Sequence, residues 1–281
     1  MNIVGVANRF LRAKGNLLKI DFEVDEKPYR AFVPDDQLFG AIKDILLNRE
    51  YEYLPEFELN RFHDKKIVDG GAHVGLFSLV ASTYAKEVIS IEPHPVNFKL
   101  LQLNLEINDA RNVIPINRAL WSKSETLILY KGGHTGAHTV LNSQNARVTE
   151  RFSVNSMSLK DVIDKFGEID LLKMDLEGAE FEVLGKLDYK VLSNIRNLVT
   201  ECHLEVGDVN QLEKFLKEKG YYTEKFTPPL VKEKASYSIK VKDLENLKVF
   251  RKFVYTLSAL IGAKDNTLAI LFARQARAKH R

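Results

Sequence analysis

Acidic residues and histidines recur in this chain just after short apolar runs. Asp69 opens the segment Asp69-Gly70-Gly71-Ala72-His73-Val74-Gly75, and Glu92 opens Glu92-Pro93. Asp175-Leu176-Glu177-Gly178-Ala179-Glu180 follows a third run, and Glu201-Cys202-His203 closes a fourth. Gly71 and Gly75 let a backbone turn sharply and come close to a ligand. A helix starting there presents free N–H groups to that ligand. Asp69 would take hydrogen bonds from the ligand or fix the loop. Glu92, 23 residues further on, sits where a carboxylate can bind both hydroxyls of a ribose.

Two cofactors compete for this geometry. Gly70-x-Ala72-x-x-Gly75 is a degenerate dinucleotide fingerprint, and Glu92 would suit the ribose of NAD. Ala72, however, stands where a pyrophosphate should approach, and Asp69 would repel it. A cationic ligand with an amino-acid end and an adenosine ribose suits these residues better. S-adenosylmethionine (SAM), with a sulfonium, an ammonium and an adenosine ribose, meets that description.

Methyl transfer from a sulfonium is an in-line displacement in which positioning supplies much of the acceleration. A hydroxyl acceptor gains from a base or a metal, because a neutral alcohol is a weak nucleophile. Asp175 or Glu177 is the expected base or acceptor-orienting group, with His203 as the second candidate. Competing structural roles are a helix N-terminus for Glu177, a solvent face for Glu180, and a satisfied buried imidazole for His203. Asp175, Glu201 and His203 could take a hard divalent ion, but no fixed ligand spacing supports one, so no metal is expected. The loop Gly132-Gly133-His134-Thr135-Gly136-Ala137-His138-Thr139 reads either as a lid over the acceptor or as an ordinary polar loop. No Asn/Asp-Pro-Pro-Tyr/Phe motif follows the fourth strand, which points to an oxygen acceptor rather than the exocyclic amine of a base.

Alternating strands and helices are expected to position these groups. Short strands at 16–22 and 29–33 and a helix capped by Asp35 or Asp36 and running to 47 form an N-terminal accessory region, residues 1–65. From 66 the pattern predicts strands at 66–69, 87–91, 112–116, 126–130, 148–156, 169–174, 197–203, 221–225 and 267–273. Helices are predicted at 76–85, 95–107, 158–166 and 211–219, with another after 178. The fold class is α/β, a doubly wound, mostly parallel sheet whose ligands bind at the carboxyl ends of the strands. Residues 66–281 make one domain, with a basic helical insert at 227–266 whose apolar spacing suits a helix at 244–261.

Three blocks in order resemble FkbM-type SAM-dependent methyltransferases. They are Val68-Asp69-Gly70-Gly71-Ala72-His73-Val74-Gly75-Leu76-Phe77, Ile91-Glu92-Pro93-His94-Pro95-x-Asn97-Phe98 with Asn104 and Asn108, and Leu171-Leu172-Lys173-Met174-Asp175-Leu176-Glu177-Gly178-Ala179-Glu180. Asn155-Ser156-Met157-Ser158-Leu159-Lys160-Asp161 matches the usual lead-in to the third block. The resemblance spans about residues 66–205 and implies a Rossmann-like class I methyltransferase. It implies cofactor binding by Asp69, Gly71, Ala72, His73, Gly75, Glu92, Pro93 and Leu120; the catalytic candidates are Asp175 or Glu177, with His203 second. His73 departs from the asparagine more usual there. The family acts mostly on hydroxyls of sugars and natural products, so the implied acceptor is a small-molecule or glycan-like hydroxyl.

Composition bounds the remaining choices. The 281 residues are 45% hydrophobic and 28% charged, which excludes disordered and fibrous classes. One cysteine allows no internal disulfide. The longest uncharged run near the C-terminus, residues 253–263, has 11 residues, against the roughly 20 a spanning helix needs. No transmembrane segment and a cytoplasmic location are therefore expected. The net charge of +3 divides unevenly: residues 229–281 carry 12 Lys+Arg against 4 Asp+Glu, leaving residues 1–228 acidic by 5. Lys232, Lys234, Lys240, Lys242, Lys248, Arg251, Lys252 and Tyr237, with Arg274, Arg277, Lys279 and Arg281 at the end, could contact nucleic acid. RNA methylation is thus one alternative function, and a non-catalytic SAM-fold binding protein is another.

Overall fold

The computed structural model describes residues 17–34, 37, 40–131, 138–140, 150–228, 230, 238–240 and 267–276. Strands β1 (Leu17–Val24) and β2 (Lys27–Pro34) form an antiparallel hairpin with strict alternation of buried residues along β1. The expected helix up to 47 is a single wide turn, Ile42–Leu47, in which the Asn48 N–H reaches the Lys43 carbonyl at 2.7 Å. Arg49 at φ +52° ends it, and short 3₁₀ turns follow at Glu50–Glu52, Pro55–Phe57 and Leu59–Phe62. Asp35 and Asp36 lie outside the described residues.

The alternating region follows. It contains β3 (Lys66–Gly70), α1 (Leu76–Ser82), β4 (Glu87–Ile91), α2 (Pro95–Ile107), β5 (Val113–Ile116), β6 (Ala119–Leu120), β7 (Thr126–Lys131), β8 (His138–Thr139), β9 (Arg151–Met157) and α3 (Leu159–Phe166). Then come β10 (Ile169–Met174), α4 (Glu180–Gly185), α5 (Tyr189–Leu192), β11 (Ile195–His203), α6 (Val209–Glu218), β12 (Tyr221–Phe226), β13 (Ser238–Lys240) and β14 (Leu268–Gln275). Local chemistry explains several ends. Pro95 occupies the first turn of α2, where its missing N–H costs nothing. Ser158 and Asp161 form a reciprocal capping box on α3.

Seven strands make the central sheet in the order β12-β14-β11-β10-β3-β4-β5. The pairs from β11 to β5 are parallel, and β14 runs antiparallel to both β11 and β12. The chain winds outward from β3 to β5, then returns to lay β10 on the other side of β3. The loops after β3 and β10 therefore diverge, which opens a crevice at this switch in strand order. A second sheet, β6-β9-β7-β8, lies after β5 in the chain.

The N-terminal region shares the core of the main sheet. One buried cluster runs from Leu18, Ile20 and Phe22 through Ile42, Leu46 and Phe57 to Leu79, Leu101 and Phe272. Phe57 meets Phe272 edge-on at 4.9 Å. Each such side chain contributes about 1.5–3 kcal/mol by leaving water. Two motif asparagines fasten this region by hydrogen bonds. Asn104 accepts from the Phe32 N–H (2.8 Å) and donates to the Phe32 (3.0 Å) and Val74 (2.8 Å) carbonyls. Asn108 does the same for both backbone groups of Arg30. Asn104→Ala is expected to destabilise the fold by about 3 kcal/mol, since buried backbone groups lose their partner. Denaturant unfolding would check this, and a change under about 1 kcal/mol would contradict it.

Within the expected insert, Ser238–Lys240 forms β13, paired antiparallel with β1. These three residues, ahead of the stretch expected to be helical at 244–261, extend the N-terminal hairpin. The helix expected at 244–261 lies outside the described residues. So do Lys232, Lys234, Tyr237, Lys242, Lys248, Arg251, Lys252, Arg277, Lys279 and Arg281, and the side chain of Lys240. Arg274 is described: it stacks on Tyr222 at 5.3 Å, 3.7 Å from Glu56. Among the described residues, no helix is long and apolar enough to cross a membrane.

Candidate functional site

Four strand ends meet over one cavity of about 340 Å³. Gly71, Ala72 and His73 from the loop after β3, and Glu92 and Pro93 after β4, form one side, with Leu120 from β6. Asp175 and Glu177 after β10, and Glu201 and His203 at the end of β11, form the other. Gln37, Asp44 and Tyr51 from the N-terminal region complete the wall.

Asp69 and Gly75 lie beneath this cavity rather than on its wall. Strand register sets Asp69 beside Ser90 on β4 and Lys173 on β10, a polar row in an otherwise apolar face. The Asp69 carboxylate, 0% exposed, accepts from Ser78 Oγ at 2.6 Å and pairs with Lys173 Nζ at 3.1 Å. Lys173 Nζ also donates to the Gly71 carbonyl at 3.1 Å and lies 5.1 Å from the Tyr51 ring centre and 5.7 Å from that of Phe77. Burial works against its charge, but Asp69 and then Asp175 outweigh that and hold the ammonium above its usual pKa. Asp69 thus fixes the loop through a buried lysine.

Gly71 takes φ +71°, and a Cβ there would sit 1.8 Å from the Asp175 carbonyl oxygen. The loops after β3 and β10 can approach this closely only with glycine at 71. Gly75, at φ +86°, leaves room for Leu101 of α2, 2.4 Å from where its Cβ would be. Two non-glycine residues on the wall, His73 (φ +51°) and Glu177 (φ +52°), are also left-handed, a conformation that costs energy and gathers at functional sites.

Glu92 is 5% exposed, and each carboxylate oxygen accepts one backbone N–H: His73 at 2.8 Å and His94 at 2.8 Å. A carboxylate has about four acceptor positions, so capacity is left for a ligand's hydroxyls. Burial pushes this carboxyl up to about 8, against the pull of the two N–H groups and Lys173. The apolar Ala119, Leu120 and Leu129 line the same cavity, so a nucleoside's ribose and base both find suitable surfaces.

Across the cavity, His203 is held at both ring nitrogens. Nδ1 lies 2.7 Å from Glu180 Oε1, and Nε2 lies 3.3 Å from Glu177 Oε2. Burial alone would lower its pKa, but the two carboxylates raise it to about 11. His203 is therefore a fixed imidazolium rather than an available base. Glu180 does not face solvent. It is 0% exposed and takes the N–H groups of His203 and Gly178, both at 2.9 Å. Asp175, Glu177 and His203 present donor atoms within 4.8 Å of one another, the arrangement nearest to a cation site. As they stand, both imidazole nitrogens are turned to carboxylates. Tyr51 Oη lies 3.1 Å from Asp175 Oδ2 and 3.2 Å from Glu201 Oε2. Burial and the Asp175 charge push Glu201 well above the carboxylate range. Cys202 is buried and its thiol is pushed far up by that burial. His134 and the side chain of His138 lie outside the described residues.

Sequence reasoning missed Tyr51 and Lys173. A lysine within the apolar run Ile169–Met174 was a usable signal, because a buried lysine requires a partner. Tyr51 left none, since its partners are 124 and 150 residues away.

Comparison with known proteins matches this architecture to one family. Residues 69–222 fit the methyltransferase FkbM domain. Methyltransferase sdnD from Sordaria araneosa is 32% identical over 232 residues, covering 71% of this chain and 87% of that protein. Methyltransferase 1 from Beauveria bassiana is 25% identical over 201 residues, covering 64% and 79%. The crystal structure of methyltransferase FkbM from Methylobacillus flagellatus aligns with a TM-score of 0.43 and 19% identity, over 66% of this chain and 46% of that one. The matched segment opens at Asp69 and takes in the strand ends after β3, β4, β10 and β11 that surround the cavity, and with the sdnD relationship it establishes that the chain belongs to the FkbM family of SAM-dependent methyltransferases.

Proposed function

We propose that this enzyme O-methylates a neutral hydroxyl acceptor, a small molecule or glycan-like compound, held on the acid-lined side of the cavity. The supporting observation is that Glu92, after β4, and the pair Asp175 and Glu177, after β10, line a single cavity from strands on either side of β3. Glu92 would hold the ribose hydroxyls of SAM, the loop Gly71–His73 its amino-acid end, and Ala119, Leu120 and Leu129 its adenine. When bound, SAM supplies an electrophilic methyl group on a sulfonium.

The chain's own groups supply orientation and a place for the proton. Asp175 accepts a hydrogen bond from Tyr51 and would take the proton of the acceptor hydroxyl as its oxygen attacks. Glu177, fixed on one side by His203, would orient that hydroxyl or a neighbouring one. His203, as an imidazolium, balances charge and does not take the proton. Asp44, Asp175 and Glu177 line the acceptor side beside the protonated Glu201, an acidic setting that favours neutral polyols over the phosphodiesters of RNA.

The test uses SAM carrying a labelled methyl group with methyl glycosides, other polyols and bulk tRNA as acceptors. Label is expected in a hydroxyl acceptor. Asp175→Asn should lose about 10²–10⁴-fold in turnover, the usual worth of a positioned base, while binding SAM normally. Transfer to tRNA alone, or full turnover by Asp175→Asn, would contradict the proposal.

A further inference from the structure

We infer that Tyr51, outside the family-matched segment, is a positioning residue for methyl transfer: its hydroxyl accepts a hydrogen bond from the Glu201 carboxyl and donates one to Asp175, keeping the Asp175 carboxylate aimed into the cavity. The inference rests on the role proposed above for Asp175.

Three features place the phenol rigidly. Tyr51 sits in the turn Glu50–Glu52, which is braced by the buried Arg49–Glu52 ion pair. Glu52 also accepts the Leu59 N–H at 2.9 Å. The ring meets Phe77 edge-on at 5.8 Å and 88° and covers the Lys173 ammonium. Its hydroxyl can then reach only a narrow region, and two carboxyl groups occupy it.

Counting protons assigns the roles. A phenol donates one hydrogen and accepts through its oxygen. Asp175 Oδ2 at 3.1 Å and Glu201 Oε2 at 3.2 Å cannot both accept that hydrogen. With both groups ionised, one carboxylate oxygen would face the phenol's lone pairs in a buried site, at the cost of an unmet hydrogen bond. If Glu201 carries a proton, every group is satisfied: Glu201 donates to Tyr51, and Tyr51 donates to Asp175. The surroundings favour this order. Burial first, and then Asp175, Asp44 and Glu177, disfavour a charge on Glu201 against the pull of His203, and the Lys173 ammonium acts more strongly on Asp175 than on Glu201. Lys173 pairs with Asp69, and Lys43 lies against Asp44 at 3.0 Å. Asp175, Asp44 and Glu50 likewise keep the phenol protonated, behind the larger effect of its burial.

Infrared difference spectroscopy on the full, SAM-free chain at neutral pH tests the arrangement without an acceptor. Wild type minus Glu201→Gln should show the carbonyl stretch of one protonated carboxylic acid, and Tyr51→Phe should shift that band. Absence of the band in wild type, or a band unmoved by Tyr51→Phe, would overturn the inference. Glu201→Gln should keep the wild-type melting temperature, because its amide N–H can replace the acid proton; a collapse in stability would also overturn it. With an acceptor in hand, Tyr51→Phe should lower kcat about 10- to 100-fold, the worth of a hydrogen bond to a charged group, and leave the affinity for SAM unchanged. An unchanged kcat would count against the inference. Full activity in Asp175→Asn would remove the proposed base without abolishing the Glu201 band, so the two failures are separable.

Discussion

Lys173→Met is expected to destabilise the protein by about 3–5 kcal/mol, the cost of leaving a buried charge without its partner. The side chain is 2% exposed and Asp69 is 0% exposed. Without the ammonium, the Asp69 carboxylate keeps only Ser78 as its hydrogen-bond donor. The Gly71 carbonyl also loses its donor, so the loop that forms one side of the cavity loosens. The double variant Asp69→Asn/Lys173→Met should recover much of the loss, because no buried charge remains, and the two changes are coupled by contact. The folded lysine's pKa is raised above its ordinary 10.5. Its contribution is therefore present throughout neutral pH and is lost only as alkaline pH approaches the raised value. Urea unfolding of the two variants decides the matter: equal destabilisation in both would contradict the account.

The affinity for SAM is expected to weaken as pH falls below about 8, through Glu92. Its folded pKa lies above the ordinary 4.5. The free protein therefore loses stability as pH rises from 4.5 through about 8, where the buried carboxyl ionises. Ribose hydroxyls donate to the ionised form, so binding at pH 7 should release a proton. Affinity should fall by up to about tenfold per pH unit below the pKa. Titrations in two buffers of different ionisation enthalpy would measure this release. Glu92→Gln should abolish it, and a pH-independent affinity in wild type would contradict it.

Much of the frame was legible because its signals are local. Residues 95–107 form a helix as the spacing predicts, started by Pro95 and the His94 cap. The runs 87–91 and 169–174 are strands with the expected bounds. Carboxylates and a histidine after apolar runs end at one crevice because parallel strands share a carboxyl edge. The misses required long-range information. Glu180 starts a short helix, a position that suits solvent, but the His203 imidazole and backbone draw it fully inside. Tyr51 becomes part of the site only when the N-terminal hairpin packs on the sheet. Three residues of β13 carry no period long enough to read, and they form a strand only because β1 offers an open edge.

The proposed function divides one cavity into a cofactor half at Glu92 and a reaction half at Asp175 and Glu177. The most direct measurement is calorimetric titration of SAM into wild type, Glu92→Ala and Glu177→Gln. Wild type should bind one SAM per chain and Glu177→Gln should match it. Glu92→Ala should bind at least about 100-fold more weakly, since it loses hydrogen bonds to a charged group worth about 1.5–3 kcal/mol each. Equal affinity in Glu92→Ala, or a loss confined to Glu177→Gln, would contradict the assignment of the two halves.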